Sequence, residues 1–190
     1  MLDMSDERCR VTASSALSSL ADADVEVLQA LGAASFVAMA REATKPLARA
    51  SACAFISKLA RNSDTHETIR EGGGVETLAS MTLRGHAEAT WGLASMASCE
   101  ENWDVVHESM TPETLDALKR LITSDNEYAT EGAAWACCYM AADWRLQLAL
   151  VKSGVLPPLV ALVKAGGGGS RRVKKAAERA LKALSSTRLE

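Results

Sequence analysis

The feature that most constrains this chain is a fivefold internal repeat. A segment with a small residue at position 0, a small or apolar one at +3, an apolar one at +4 and Leu or Met at +7 recurs. Its copies are Ala13-Ala16-Leu17-Leu20, Ala52-Phe55-Ile56-Leu59, Ala89-Gly92-Leu93-Met96, Ala133-Ala136-Cys137-Met140 and Ala177-Ala180-Leu181-Leu184. Offsets of 0, 3, 4 and 7 mark one face of an α-helix. The copies start 39, 37, 44 and 44 residues apart. A second anchor, Met39, Leu78, Leu115 or Leu159, follows each of the first four +7 positions by 19 residues. The length variation therefore falls in the connection back to the next Ala-rich helix, as in a repeat array.

Composition agrees with stacked helices. Alanine supplies 34 of the 190 residues and isoleucine only three, which favours closely packed helices over strands. Apolar types make up 48% and charged types 24%, so disorder and collagen-like structure are excluded. The longest small-apolar stretch, 132–142, is far shorter than the roughly 18 residues a membrane span needs. Met1–Arg10 carries Asp3, Asp6 and Glu7 with no apolar run behind it, unlike a secretory signal. Five cysteines, Cys9, Cys53, Cys99, Cys137 and Cys138, are an odd number with one adjacent pair, which fits reduced thiols better than a disulfide framework. A cytoplasmic or nuclear location is expected. The C-terminal Leu189-Glu190 reads as a cloning remnant, leaving 1–188 as a single solenoid domain.

Each unit reads as a long helix, a short helix and a further helix starting at a turn. Gly72-Gly73-Gly74, Thr111-Pro112 and Ser153-Gly154 supply those turns just before the second anchor, and Pro112 suits a first helical turn. Gly166–Ser170 reads as another interhelical turn. The run Gly154-Val155-Leu156-Pro157-Pro158-Leu159-Val160-Ala161-Leu162-Val163 resembles the second helix of an armadillo repeat, and Ala133-Ala134-Trp135-Ala136 resembles the start of its third. The resemblance spans nearly the whole chain and is strongest over 70–186. It implies an all-α, right-handed solenoid of about four repeats, with third-helix motifs starting near 13, 52, 89, 133 and 177. HEAT repeats, with two helices per unit, are the competing assignment.

Reactive constellations are missing from the sequence. His66, His86 and His107 are scattered, and no Cys-x-x-Cys, His-Glu-x-x-His or phosphate-loop motif occurs. Gly72–Gly74 lacks the Lys and the preceding strand of a phosphate loop, so it is a structural turn. Cys137 at +4 and Cys53 at +1 read as buried small hydrophobes, while Glu100 and Glu101 beside Cys99 disfavour a thiolate. No catalytic, metal or cofactor residue is nominated, and the chain is not expected to be an enzyme.

A solenoid exposes one helix from each repeat on a continuous concave surface. Trp91 and Trp135 occupy +2 of successive third-helix motifs, and Ser19, Lys58, Ser95, Tyr139 and Ala183 occupy +6. These positions lie off the 0/3/4/7 stripe. Resemblance to importin-α-like armadillo proteins implies that a +2 Trp packs on Lys or Arg stems of an extended ligand, whereas their +6 Asn, which holds the ligand main chain, has no counterpart. The candidate partner-binding residues are Lys58, Glu88, Trp91, Ser95, Glu131, Trp135, Tyr139 and Arg179. Trp, Tyr and Glu there would attract Lys or Arg, while Lys58 and Arg179 would close the footprint and favour acidic residues. The competing reading is that Trp91 and Trp135 pack between helices. Trp103 and Trp144 are assigned to packing between repeats.

Charge is uneven: residues 1–150 carry net −10 and residues 151–190 net +7. Arg171, Arg172, Lys174, Lys175, Arg179 and Lys182 lack interleaved aromatics, so a solvated capping helix is favoured over a nucleic-acid or membrane surface. The expected function is a protein-interaction scaffold for an extended, Lys/Arg-containing segment. The alternative is an assembly domain that self-associates through its ends.

Overall fold

A computed structural model describes residues 33–42, 46–164 and 170–186. The first motif copy, Ala13–Leu20, lies outside them, as do Ser19, Cys9, 166–169 and Leu189-Glu190. The described helices are α1 (Ala33–Glu42), α2 (Pro46–Leu59), α3 (His66–Glu71), α4 (Gly74–Leu83), α5 (Ala87–Ala97), α6 (Trp103–Ser109), α7 (Pro112–Ile122), α8 (Glu127–Met140), α9 (Trp144–Ser153), α10 (Leu156–Lys164) and α11 (Arg171–Ser185). Short 3₁₀ turns, Ser63–Thr65 and Glu100–Asn102, lead into α3 and α6. The repeating order is first, second and third helix: α3–α5, α6–α8 and α9–α11, preceded by the second and third helices α1 and α2.

The third helices α2, α5, α8 and α11 pack side by side in that order, and α1, α4, α7 and α10 form a second row. Each first helix rests on the second helix of the preceding unit: α3 on α1, α6 on α4, α9 on α7. The arrangement is an armadillo solenoid, all-α and right-handed. Among the described residues no single helix is long and apolar enough to cross a membrane; α9 and α10 qualify only together, and they are bent by 77°.

The repeated stripe is the core. Ala52, Phe55, Ile56, Ala89, Leu93, Met96, Ala133, Ala136, Cys137, Met140, Ala177 and Ala180 are fully buried, and Leu78 and Leu159 from the second row meet them. Met39 and Leu181 are only half-buried. Small residues set the spacing of the row. A Cβ on Gly92 would lie 2.6 Å from Ser57 Oγ and 2.9 Å from Leu78 Cδ2, so α5 approaches both neighbours through a residue with no side chain. Ser57 donates its hydroxyl to the Glu88 carbonyl and fastens α2 to α5 there.

Helix starts follow their caps. The Thr111 hydroxyl accepts from the Thr114 N–H at 3.3 Å, with Pro112 as the first helical residue of α7. The Asn126 side chain accepts from Ala129 N–H, and Asp143 from the N–H groups of Arg145 and Leu146. The Ser170 hydroxyl accepts from Arg172 N–H, starting α11. Gly72 and Gly73 form the turn between α3 and α4, and Gly74 opens α4, where the sequence places a turn.

One buried polar network joins successive first helices. The Asn102 amide nitrogen donates to the Met96 carbonyl at 2.9 Å and to His66 Nδ1 at 3.0 Å, and its oxygen accepts from Arg70 Nη1 at 2.9 Å. An amide N–H only donates, so Nδ1 accepts and His66 carries its proton on Nε2, which it donates to the Ala60 carbonyl at 2.7 Å. Both side chains are buried, so every member depends on its partner. Asn102→Ala orphans the buried His66 nitrogen and removes one donor from the Met96 carbonyl, which keeps the Cys99 N–H at 3.3 Å, and should cost about 1–3 kcal/mol of unfolding free energy, read from urea titration.

The core thiols add a pH dependence. Burial pushes Cys137 up to about 12, and burial together with the Glu88 charge pushes Cys53 up to about 12. The folded chain then keeps two protons that the unfolded chain releases above an ordinary value of 9.0. Their contribution to stability is complete below pH 9 and lost as pH rises toward 12. Wild type should lose urea stability between pH 9 and 11 more steeply than Cys53→Ala/Cys137→Ala; equal slopes would refute this account.

Candidate functional site

The off-stripe positions of the third helices meet as two clusters. On α8, Tyr128, Glu131, Trp135 and Tyr139 recur at intervals of 3, 4 and 4 residues and so form one helical stripe. Trp91 reaches across from α5 to its N-terminal end. The Trp91 indole N–H donates to the Tyr128 carbonyl at 3.1 Å, and the two rings are 5.6 Å apart, tilted by 33°. The indole lies over Gly132, where an added Cβ would come within 2.8 Å of Trp91 Cδ1 and Nε1. Trp91 therefore packs between repeats and still contributes an edge to the surface, being half-buried.

Trp135 sits at the centre of the second cluster. Tyr139 stacks beside it at 5.5 Å and 21°, and Arg179 of α11 places its guanidinium carbon 5.4 Å from the ring centroid. Arg172 Nε approaches Glu131 Oε1 at 4.0 Å. Two cations of α11 thus rest on a Trp and a carboxylate of α8. Burial raises the Tyr128 phenol, and the charges of Glu88 and Glu131 raise it further against the opposing effect of Arg61, so both carboxylates act on this surface.

At +6, the Ser95 hydroxyl donates to the Trp91 carbonyl at 3.1 Å within its own helix. Ser95 and Tyr139 share a cleft of about 310 Å³ with Arg61, Ser63, His66 and Cys99. Lys58 is half-buried on α2. Thus Glu88, Trp91 and Glu131 gather around Tyr128; Glu131, Trp135, Tyr139 and Arg179 gather around the Trp135 ring. Tyr128 is absent from the sequence-based set, although the 3.6-residue spacing back from Trp135 and Glu131 reaches it. Gly132 is the other omission; a Gly beside an Ala run is silent until the Trp above it is known.

Trp103 and Trp144 part company. Trp103 is half-buried and donates its indole N–H to the Ala97 carbonyl at 3.0 Å, as expected for packing between repeats. Trp144 is 68% exposed, which corrects the packing assignment. Leu146 and Leu150 supply the inward face of α9, and Trp144 stands two residues, about 200°, from Leu146 around the helix. The basic residues Arg171, Arg172, Lys174, Lys175, Arg179 and Lys182 are all exposed. Among the described residues no group of three or more His, Cys, Asp and Glu could hold a metal ion.

No sequence family matches the chain, and no curated protein matches it. Solved structures do. A designed armadillo repeat protein in complex with the peptide (KR)4 superposes with a TM-score of 0.79 at 22% identity, covering 95% of this chain and 77% of its own. A computationally designed armadillo repeat protein for modular peptide recognition gives 0.81 at 22% identity, covering 95% and 78%. An engineered protein gives 0.82 at 23% identity, covering 96% and 76%. At such identities the likeness shows the fold, and the fold is that of armadillo repeat proteins.

Gly132→Ala should drive Trp91 off its seat. Alanine gains up to about 1 kcal/mol of helix propensity, but displacing the indole costs about 1–3 kcal/mol, so net destabilisation is expected. In a Trp91→Ala background the same substitution should instead stabilise. Urea titrations of the double-mutant cycle read this change of sign, and a cycle with no coupling would refute the packing account.

Proposed function

We propose that this chain is a non-enzymatic protein-interaction scaffold that holds an extended, Lys/Arg-containing segment of a partner on its concave third-helix face. The observation that carries the reading is the seating of Arg179 on Trp135 with Arg172 beside Glu131. The chain's own cations already use the aromatic and acidic groups that a ligand cation would use. Trp91, Tyr128, Glu88 and Glu131 form the cation-favouring part of the footprint, and Lys58 and Arg179 mark its ends. A neighbouring designed protein was solved with a peptide of alternating Lys and Arg, which supports the same class of ligand. With Ser95 and Tyr139 in place of +6 amides, side-chain contacts rather than main-chain clamping carry the affinity. A cytosolic or nuclear setting belongs to the proposal and is supported by free thiols at Cys53, Cys99, Cys137 and Cys138.

Fluorescence anisotropy with labelled (KR)4 peptide tests it. Trp135→Ala/Glu131→Gln should weaken binding about tenfold, or about 1.4 kcal/mol. Arg179→Ala should tighten it, because the internal competitor for the Trp135 face is gone. Unchanged binding in both variants, with helicity retained, would overturn the assignment of this face.

A further inference from the structure

The most exposed large apolar surface lies away from the concave stripe, on first helix α9. Trp144, Leu148 and Val151 are 68%, 46% and 39% exposed, and their spacing of four and three residues puts them on one face. Leu146 and Leu150 bury the opposite face, so α9 is apolar on two sides, and among the described residues only one of them is covered. Contiguous exposed apolar surface of this kind marks interaction sites.

Trp144 also forms a wall of a groove of about 840 Å³, with Trp103, Cys138, Ala142, Gln147 and Ala183 among its lining. The groove is firmly built on the α11 side. Gln147 Nε2 donates to the carbonyls of Ala183, Leu184 and Ser186 at 3.3, 3.1 and 3.3 Å, tying α9 to the end of α11. On the α6 side, the Trp103 indole is held on the Ala97 carbonyl.

The rim is negative. Glu100 lines the groove and Glu101 beside it is exposed. Asp104 and Asp143 add two carboxylates against one Arg145, which bridges them at 2.7 and 2.6 Å and is thereby engaged. The carboxyl-terminal ends of α8 and α11 reach the same groove through Ala141, Ala142, Ala183 and Ser186, and helix C-termini carry partial negative charge. An anionic membrane would be repelled by this rim. An apolar floor with an acidic border is complementary to an apolar side chain between cations.

We propose that the groove between Trp103 and Trp144, continued by Leu148 and Val151, is a second docking site that takes a segment of a partner protein with a large apolar side chain flanked by Lys or Arg. The site uses no residue of the concave cluster and stands independently of the function proposed for it.

The test uses a fluorescein-labelled peptide with a central Leu-Phe pair flanked on each side by Lys-Arg. Anisotropy should show binding that weakens at least about tenfold with Trp144→Ser, and severalfold with Leu148→Ser or with Glu100→Gln/Glu101→Gln, at unchanged far-UV circular dichroism. Control peptides with Glu-Asp flanks, or with a Gly-Ser centre, should bind correspondingly more weakly. Bound peptide should also slow alkylation of Cys138, which lines the groove, and leave Cys99, which lines the other cleft, unaffected. Trp135→Ala/Glu131→Gln should leave this affinity within twofold, while Trp144→Ser should leave (KR)4 binding intact, so either site can fail without the other. The proposal is overturned if the peptide binds Trp144→Ser, Leu148→Ser and Glu100→Gln/Glu101→Gln as it binds wild type, or if it responds to the Trp135 variant instead. It is equally overturned if sedimentation shows that the Trp144 face dimerises the chain, or pellets it with vesicles of 70% phosphatidylcholine and 30% phosphatidylserine, in place of peptide binding.

Discussion

Contact between neighbouring third helices is the interaction on which everything else in this molecule rests. Ala52, Ala89, Ala133 and Ala177, with Gly92, Ala136 and Ala180 one turn further on, are buried to the backbone. Two helices can approach only as closely as the side chains between them allow, so a row of methyls and hydrogens fixes a tight, constant spacing. Larger residues at +4 and +7, such as Ile56, Leu93 and Met140, then fill the wedge toward the second row, where Leu78, Leu115 and Leu159 meet them. Every repeat buries its apolar face only because the next one stacks on it.

That tight row determines what can be displayed. With 0, 3, 4 and 7 committed to the core and +1 buried at Cys53, Thr90 and Ala134, +2 and +6 are the positions left at the surface, and a large side chain at +2 must lie across its neighbour. Trp91 does so over Gly132, and Arg179 does so over Trp135. The contrast between the two is instructive. Trp91 gains its seat from a missing side chain and is anchored by a hydrogen bond to Tyr128, so it is structural and surface-forming at once. Trp135 keeps its ring toward the edge, where a cation from the adjacent helix covers it. The choice between a groove residue and a packing residue therefore has no single answer here; the same geometry makes Trp91 more of the second and Trp135 more of the first.

The helical stripe was legible because it depends on one helix at a time: spacing alone identifies Ala89, Leu93 and Met96 as inward-facing, and their burial follows. The same holds for Leu78 and Leu159, whose fixed offset from the third helix reflects a repeated local geometry. What stayed hidden depends on two helices at once. His66 and Asn102 are 36 residues apart and carry no local signal of forming one network. Arg179 belongs to a basic cluster that reads as a solvated face, and α11 is indeed exposed along that side, yet one turn of it leans on α8. Trp144 failed for the opposite reason. A Trp near a helix start is commonly an inward residue, but in α9 Leu146 and Leu150 already occupy the inward positions, and two residues of offset carry the indole to the far side.

The charge asymmetry takes on a different meaning in three dimensions. In sequence, an acidic body precedes a basic end, which suggests opposite poles. In the fold, part of the basic end lies alongside the acidic body, because α11 packs on α8 and brings Arg172 to Glu131 and Arg179 to Trp135. These contacts are exposed and individually weak, so they bias the surface rather than hold the solenoid together, and an incoming cation of better geometry can displace them. Beside the first helices, by contrast, Asp104 shares Arg145 with Asp143, and Arg70 reaches only the backbone carbonyl of Glu101. Glu100, Glu101 and Asp104 thus leave exposed carboxylates at the start of α6. They lie beside the groove that Trp144 walls, so carboxylates and the most exposed large apolar side chain among the described residues meet there.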